Sequence, residues 1–299
     1  MKKNIIKKMG LHIFLFEIYN IFVNKILANV LSDKPFISLV YFLNFRRKIN
    51  LTPPKSFNEK LNWLKLYDHN PVYKSLADKY EVKNFVSQVI GEKYVVPCYG
   101  VWDSSDEIDF NNLPKQFVLK TTHNSSGVFV CRDKELLDME KIKEELNKSL
   151  KRKYYKHTRE WVYKEIAPRI IADEYLDDGS GHELKDYKFW CFNGEPRMMY
   201  ITNKGKEIFE NFYDMDFNVL NINHGFPRRF PEYEKPECFE EMKVLARQLS
   251  SNIPFVRIDF FYVNKRIYFG EFTFYDWAGL RPFKKYEMDC ELGKFISIK

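Results

Sequence analysis

Within "FVRIDFFYVNKRIYFGEFTFYDWAGL", residues 255–280, Arg257, Asp259 and Glu271 interrupt an apolar, aromatic run. Alternation along an extended chain places Arg257 and Asp259 on one face of "VRIDFF", and Glu271 and Thr273 on one face of "YFGEFTF". If the two segments pair, their carboxylates meet. Desolvated carboxylates in contact repel unless something positive lies between them. A divalent cation answers that need, and oxygen ligands suit magnesium, which keeps waters and phosphate oxygens in its remaining positions. Asp259 and Glu271 are therefore candidate metal ligands, and Arg257 beside them suits a terminal phosphate.

Other groups could serve the same chemistry. Lys120 ends the apolar segment "QFVLK" and precedes "TTHNSSG", a small polar loop that contains Ser125, Ser126 and Gly127. The backbone N–H groups of such a loop, with a lysine beside them, can hold phosphates. The spacing is not that of the G-x-x-x-x-G-K-[ST] loop, and an ordinary hairpin is the alternative. "RIIADEYL" ends on Asp173, Glu174 and Leu176, and "LKDYKFWCFNG" carries Asp186 and Lys188 on one face. An acid there can accept hydrogen bonds from ribose hydroxyls and a lysine can reach phosphate, although Asp186 and Lys188 taken alone read as a surface ion pair. His123 reads as a solvent-exposed loop residue. Tyr154, Tyr155 and Trp161 offer a sugar platform, with core packing as the alternative for Trp161. "YDMDF" contains a D-x-D at Asp214 and Asp216, a pattern that can bind the metal of a nucleotide sugar.

The elements that must position these groups are regular from residue 51 onward. Pro53 and Pro54 break the chain before Ser56 and Glu59, which form a capping-box pattern at the start of a helix. "PVYKSLADKYEVKNFVSQVIG" predicts a second helix ending at Gly91, and "KYVVPCYGVW" a short strand. "QFVLKTTHNSSGVFVCRD" reads as two strands joined by a polar turn, and residues 135–152 as an amphipathic helix. "YKFWCFNGEPRMMYIT" predicts a hairpin around Asn193-Gly194. "FEEMKVLARQLSSN" is helical, and residues 255–280 form a further hairpin turning near "VNK". The class is α+β with mostly antiparallel strands.

The chain has 299 residues, with 45% apolar content, 27 Phe and 19 Tyr, enough for a large core and unlike a disordered or fibrous chain. The net charge of +7 is spread among acids, with modest clusters in "KRKYYKHTREW" and "RPFKK". That pattern suits small anions or a membrane surface more than nucleic acid, for which no signature is present. Cys98, Cys131, Cys191, Cys238 and Cys290 lie far apart, as expected of a reducing cytoplasm. Cys98, Cys131 and Cys191 read as small buried hydrophobes. Residues 1–31 combine lysines with an amphipathic apolar arc interrupted by Glu17, Asn20 and Asn24. That arc either docks on the protein's own body or lies on the inner membrane leaflet as a peripheral contact.

The succession "FNEKLNWLKLYD", "LADKYEVKNFV", "FVLKTTHNSSG", "ADEYL", "DYKFWCFNG", "VRIDFF" and "YFGEFTF" resembles the TupA-like ATP-grasp family of bacterial surface-polysaccharide loci over residues 35–299. The resemblance implies an ATP-grasp fold, two α+β subdomains clamping ATP, preceded by N-terminal helices. The expected organisation is an N-terminal helix over 1–34, a helical or α/β region over 35–115, and the nucleotide-binding and catalytic subdomains over 116–299. Lys79, with Lys83 as the other candidate, and Lys120 would contact phosphates, and the Ser125–Ser126–Gly127 loop would close over them. Asp173, Glu174 and Leu176 would border adenine and Asp186 the ribose. Lys188 and Arg257 would act on the phosphate, and Asp259, Glu271 and Thr273 would hold magnesium. Thr273 stands where many such ligases have Asn, and the loop has one glycine rather than several. The implied activity is an ATP- and magnesium-dependent carboxylate:amine ligase working through an acyl phosphate, with a sugar or uronic-acid carboxylate and an amine as co-substrates. A metal-dependent glycosyltransferase and a non-catalytic, membrane-associated nucleotide-binding regulator are the rival readings.

Overall fold

The computed structural model describes residues 26–125, 127–179, 184–203 and 207–298. After a helical turn at Ala28–Val30 come α1 (Asp33–Phe45), α2 (Phe57–Tyr67), α3 (Val72–Ala77) and α4 (Glu81–Ile90). The capping box at α2 is present. Ser56 Oγ accepts from the Glu59 N–H at 3.3 Å, and Glu59 Oε2 accepts from the Ser56 N–H at 3.1 Å. The second predicted helix is divided at Asp78. That residue is 3% exposed, and its Oδ1 accepts from the N–H groups of Tyr80 and Glu81, so it starts α4 afresh. Gly91, at φ +110°, ends α4 as expected.

Strands β1 (Cys98–Trp102), β2 (Phe117–Thr121), β3 (Val128–Cys131) and β4 (Ile170–Glu174) form a sheet ordered β1-β4-β2-β3, every pairing antiparallel. β1 precedes residue 116, so this sheet draws on both sides of the 115/116 boundary. Between β3 and β4 lie α5 (Met139–Leu150) and α6 (Tyr154–Thr158). Leu146 of α5 is fully buried in a core of its own with Phe117, Leu119 and Ala172.

The second sheet has β5 (Asp186–Phe192), β6 (Glu195–Thr202), β7 (Glu210–Asp214), β8 (Val219–Leu220), β9 (Phe255–Val263) and β10 (Arg266–Thr273), ordered β10-β9-β5-β6-β7-β8. Both predicted hairpins close on positive-φ pairs, Asn193-Gly194 and Asn264-Lys265. α7 (Phe239–Leu249) covers one face, its Phe239 ring 6.0 Å from that of Phe189. On the other face α2 packs at one end of the strands, where Phe57 stacks on Trp190 at 4.9 Å. α8 (Tyr286–Lys294) locks α2 in place. Asp289 Oδ1 accepts from both the backbone and side-chain nitrogens of Asn58 at 2.9 Å. The rest of that face is left open towards the smaller sheet.

Of the N-terminal arc, residues 1–25 lie outside the described residues. The part that follows docks on the body. Arg159, 5% exposed, donates to the carbonyls of Ala28 and Leu31 at 2.8 and 2.9 Å. Among the described residues, no helix is long and apolar enough to cross a membrane.

Candidate active site

β9 and β10 pair with Arg257 opposite Thr273 and Asp259 opposite Glu271. A bulge between Phe269 and Glu271 sets this register. Gly270 permits it, since a Cβ there would lie 3.0 Å from the Asp259 carbonyl oxygen. β5 flanks β9 on its other side, with Lys188 opposite Asp259. The predicted charges therefore form one band across three strands.

Arg257 organises that band. Its Nε and Nη2 donate to the Asp259 oxygens at 2.6 and 2.8 Å, Nη2 to Glu271 Oε1 at 3.1 Å, and Nη1 to Asp276 Oδ1 at 2.6 Å and Tyr200 Oη at 3.2 Å. Lys188 donates to Asp259 Oδ2 and pairs with Asp186 at 3.3 Å. Burial alone would raise the Asp259 carboxyl, but Arg257 and Lys188 outweigh it and hold it below the usual carboxylate range. Burial likewise opposes the Lys188 charge, and Asp259 restores it.

The smaller sheet supplies the facing wall. Asp173, 3% exposed, receives Lys120 at 2.9 Å and Lys83 at 3.0 Å. Lys79 donates to the Asn124 carbonyl, and burial pushes its ammonium down. Gly127, at φ +75°, closes the loop where no side chain fits, because a Cβ would meet Ser149 Oγ at 2.2 Å. Ser125 Oγ donates to Tyr154 Oη at 2.7 Å, while Ser126 lies outside the described residues. The Glu174 N–H donates to the Pro97 carbonyl at 2.9 Å, and Leu176 packs with Val96, Leu184 and Phe261.

A cleft of about 1070 Å³ separates the walls and is lined by Lys79, Lys83, Lys120, Ser125, Asp173, Glu174, Leu176, Asp186, Lys188, Arg257, Asp259, Glu271 and Thr273. Val128 and Val130 of β3 line it too, although they are 50% and 52% exposed, so apolar surface there awaits cover. One end is apolar and the middle carries cations on both walls. That arrangement can hold a flat ring at one end and phosphates in the middle.

Among the described residues, no group of His, Cys, Asp and Glu is clustered tightly enough to hold a metal ion unaided. Asp259 and Glu271 share Arg257, the Glu271 side chain is 42% exposed, and Thr273 Oγ1 donates to Glu271 Oε1 at 3.3 Å. Few, hard oxygen donors fit magnesium that arrives with phosphate oxygens and waters, rather than a self-sufficient metal site.

Several expectations change. Asp186 and Lys188 pair as expected but are buried, 1% and 8% exposed, so they are not a surface ion pair. His123 is 5% exposed, with Nε2 3.2 Å from the Arg152 carbonyl oxygen, because the loop folds back onto the segment after α5. Asp214 is a turn former. Its Oδ1 accepts from the Asp216 and Asn218 N–H groups at 2.9 and 2.8 Å. Of the aromatic trio only Tyr154 lines the cleft, while Trp161 stacks on His69 at 4.7 Å. Cys131 and Cys191 are buried, but Cys98 is only partly so.

Glu160, Tyr200, Glu210 and Asp276 were not foreseen. Asp276 follows the apolar "FTFY" directly and Glu210 alternates with Phe212 along β7, so a charge in an apolar run was again the available signal. Glu160, 4% exposed, accepts from Tyr154 Oη at 3.3 Å, and burial pushes its carboxyl up to about 7 with Lys65 opposing.

A family model described as TupA-like ATPgrasp matches residues 59–297. No curated protein matches the chain. Among solved structures, D-alanine-D-alanine ligase from Helicobacter pylori is similar at 16% identity, covering 81% of this chain and 70% of that one, with a TM-score of 0.40. The Bacillus anthracis D-alanine–D-alanine ligase complexed with ATP shows 15% identity, 81% and 69% coverage and a TM-score of 0.39. A RimK domain ATP-grasp protein from Sphaerobacter thermophilus shows 11% identity, 75% and 67% coverage and a TM-score of 0.41.

Proposed function

The chain belongs to the TupA-like ATP-grasp family and is an ATP-grasp ligase by that membership, and from that premise we propose that it is a magnesium-dependent carboxylate:amine ligase of bacterial surface-polysaccharide biosynthesis. Its substrates are a sugar or uronic-acid carboxylate and an amino acid or other amine. The observation that carries this reading is the cleft itself, with Lys79, Lys83 and Lys120 on one wall and Arg257 and Lys188 on the other.

Adenine occupies the apolar end beside Glu174 and Leu176, and the ribose hydroxyls meet Asp186. The phosphates run between Lys79, Lys120 and Lys188 under the Ser125–Gly127 loop. Each of these cations is held in place before ATP arrives, by Asp173, Asp259 or a loop carbonyl. Such pre-positioned charge stabilises a phosphoryl transition state without reorganisation at the moment of reaction. When bound through Asp259, Glu271 and Thr273, magnesium would neutralise charge on the phosphates. Arg257 stabilises the terminal phosphate as the substrate carboxylate attacks it, and cover of the cleft keeps water from the acyl phosphate.

The test is ADP release with a panel of uronates and amines. The wild type should turn over, and Asp259→Ala with Glu271→Ala should lower turnover by at least about 100-fold. Absence of turnover in the wild type, together with unchanged nucleotide binding in the double variant, would overturn the reading.

A further inference from the structure

The nucleotide leaves one end of the cleft unassigned. It is lined by Thr202, Asn203, Glu210, Phe226 and Trp277, with the last two rings 5.9 Å apart. Glu210 is the anomaly there. It is 3% exposed, and its Oε2 is buried with no hydrogen-bond partner among the described residues.

The cations that act on Glu210 are Arg281, Arg257 and Lys188, and Asp276 opposes them. None of them donates to Glu210 Oε2. Arg257 is held by Asp259, Glu271 and Asp276, Lys188 by Asp259 and Asp186, and the Arg281 guanidinium lies over the Phe226 and Trp277 rings, 4.5 and 3.8 Å from their centroids, with its Nη1 buried and without a hydrogen-bond partner among the described residues. Glu160, another buried acid of the cleft whose carboxyl is raised, differs because Tyr154 donates to it and Lys65 opposes its burial. A buried carboxylate oxygen without a hydrogen-bond donor is costly in a cleft wall, and a ligand that supplies the donor accounts for its being kept.

The sign of the charge selects that ligand. A phosphate or carboxylate brings Glu210 Oε2 no donor, whereas an ammonium supplies both the opposite charge and the N–H donors that this oxygen lacks. We infer that this end is the acceptor subsite, where Glu210 binds the ammonium of the amine co-substrate and takes its proton; the inference rests on the ligase reading above.

The position suits the chemistry. Tyr200, on the strand next to β7, touches Arg257, so the amine lies beside the end of the cleft where the acyl phosphate forms. Glu210 removes one proton from the ammonium, and the freed lone pair attacks the acyl carbon. The bond from that carbon to the phosphate oxygen breaks, and the departing phosphate takes the second proton as the amide forms. Burial pushes the Glu210 carboxyl up to about 7, where it can exchange that proton with water near neutral pH.

Two nucleophiles separate this role from a structural one. Hydroxylamine is uncharged near neutral pH and intercepts acyl phosphates unaided, whereas glycine, L-glutamate and L-lysine arrive as ammonium ions. With ATP, magnesium and glucuronate or galacturonate, Glu210→Gln should lower amide formation at least about 100-fold while hydroxamate formation falls less than about tenfold. Glu210→Asp, which keeps the charge, should recover part of the amide activity, and the melting temperature of each variant reports its folding. Parallel loss of both products in a folded Glu210→Gln protein, or amide formation at the wild-type rate, would overturn the inference. A wild type that forms hydroxamate but no amide would overturn the subsite and leave the ligase reading standing. A wild type that forms neither would overturn both.

Discussion

Glu210 and Asp259 are both buried carboxylates of one cleft wall, and they differ in what faces them. Asp259 is ionised because Arg257 and Lys188 touch it, whereas burial raises Glu210 from 4.5 to about 7. An acid with a raised folded-state value stabilises the fold fully below its unfolded value, and that contribution is lost as pH rises through the folded value. For Glu210 the window runs from 4.5 to about 7, and by pH 8 its ionisation costs on the order of 3 kcal/mol. Glu210→Gln removes that cost. Urea denaturation should show the variant gaining stability over the wild type at pH 8, with the difference shrinking towards pH 5; a pH-independent difference would show that Glu210 is solvated. At this scale the sequence was legible where partners are near in register. Arg257, Asp259, Glu271 and Thr273 needed only alternation and one hairpin. Glu210 and Asp276 reach the band from β7 and from the turn after β10, so long-range pairing decides their place.

At the scale of elements, local chemistry was readable and tertiary chemistry was not. The Ser56–Glu59 box depends on four consecutive residues, and it stands as written. The break between α3 and α4 was hidden because a helical period runs through "SLADKYEVK". What cuts it is Asp78, which caps α4 and also pairs with Arg169, before β4, at 3.1 Å. Glu59 extends beyond its capping role. Its carboxylate also accepts from the N–H groups of Asn50 and Lys55 at 3.1 and 3.0 Å, so it shapes the segment leading into α2. Glu59→Ala would leave those donors buried or half-buried without a partner and should cost at least about 2 kcal/mol in chemical denaturation. A loss below about 0.5 kcal/mol would mean that water replaces the carboxylate. Because α2 sets Phe57 against Trp190, the same variant should also weaken nucleotide binding through the larger sheet.

At the scale of the molecule, the order of motifs along the chain made the two-walled architecture legible, but the strand order β10-β9-β5-β6-β7-β8 was not. Two segments distant in sequence, β5–β8 and β9–β10, meet in that sheet through the β5–β9 pairing, and no local period states which neighbours pair. The consequence is that the charges are paired within each wall, Lys120 and Lys83 on Asp173 and Arg257 and Lys188 on Asp259, so that a nucleotide in the cleft bridges the two walls. A ligand that binds only the folded state stabilises it by linkage, about 2.7 kcal/mol when ATP stands 100-fold above its dissociation constant. For a chain of this length that corresponds to a rise in melting temperature of roughly 4 °C. Lys120→Gln tests whether the small-sheet wall takes part. Lys83 still pairs with Asp173 at 3.0 Å, so the ligand-free variant should fold. With magnesium and the same ATP concentration its rise should fall below roughly 2 °C, and more ATP should restore it. An undiminished rise would show that Lys120 serves only to neutralise Asp173 and that the phosphates are held by the larger sheet alone.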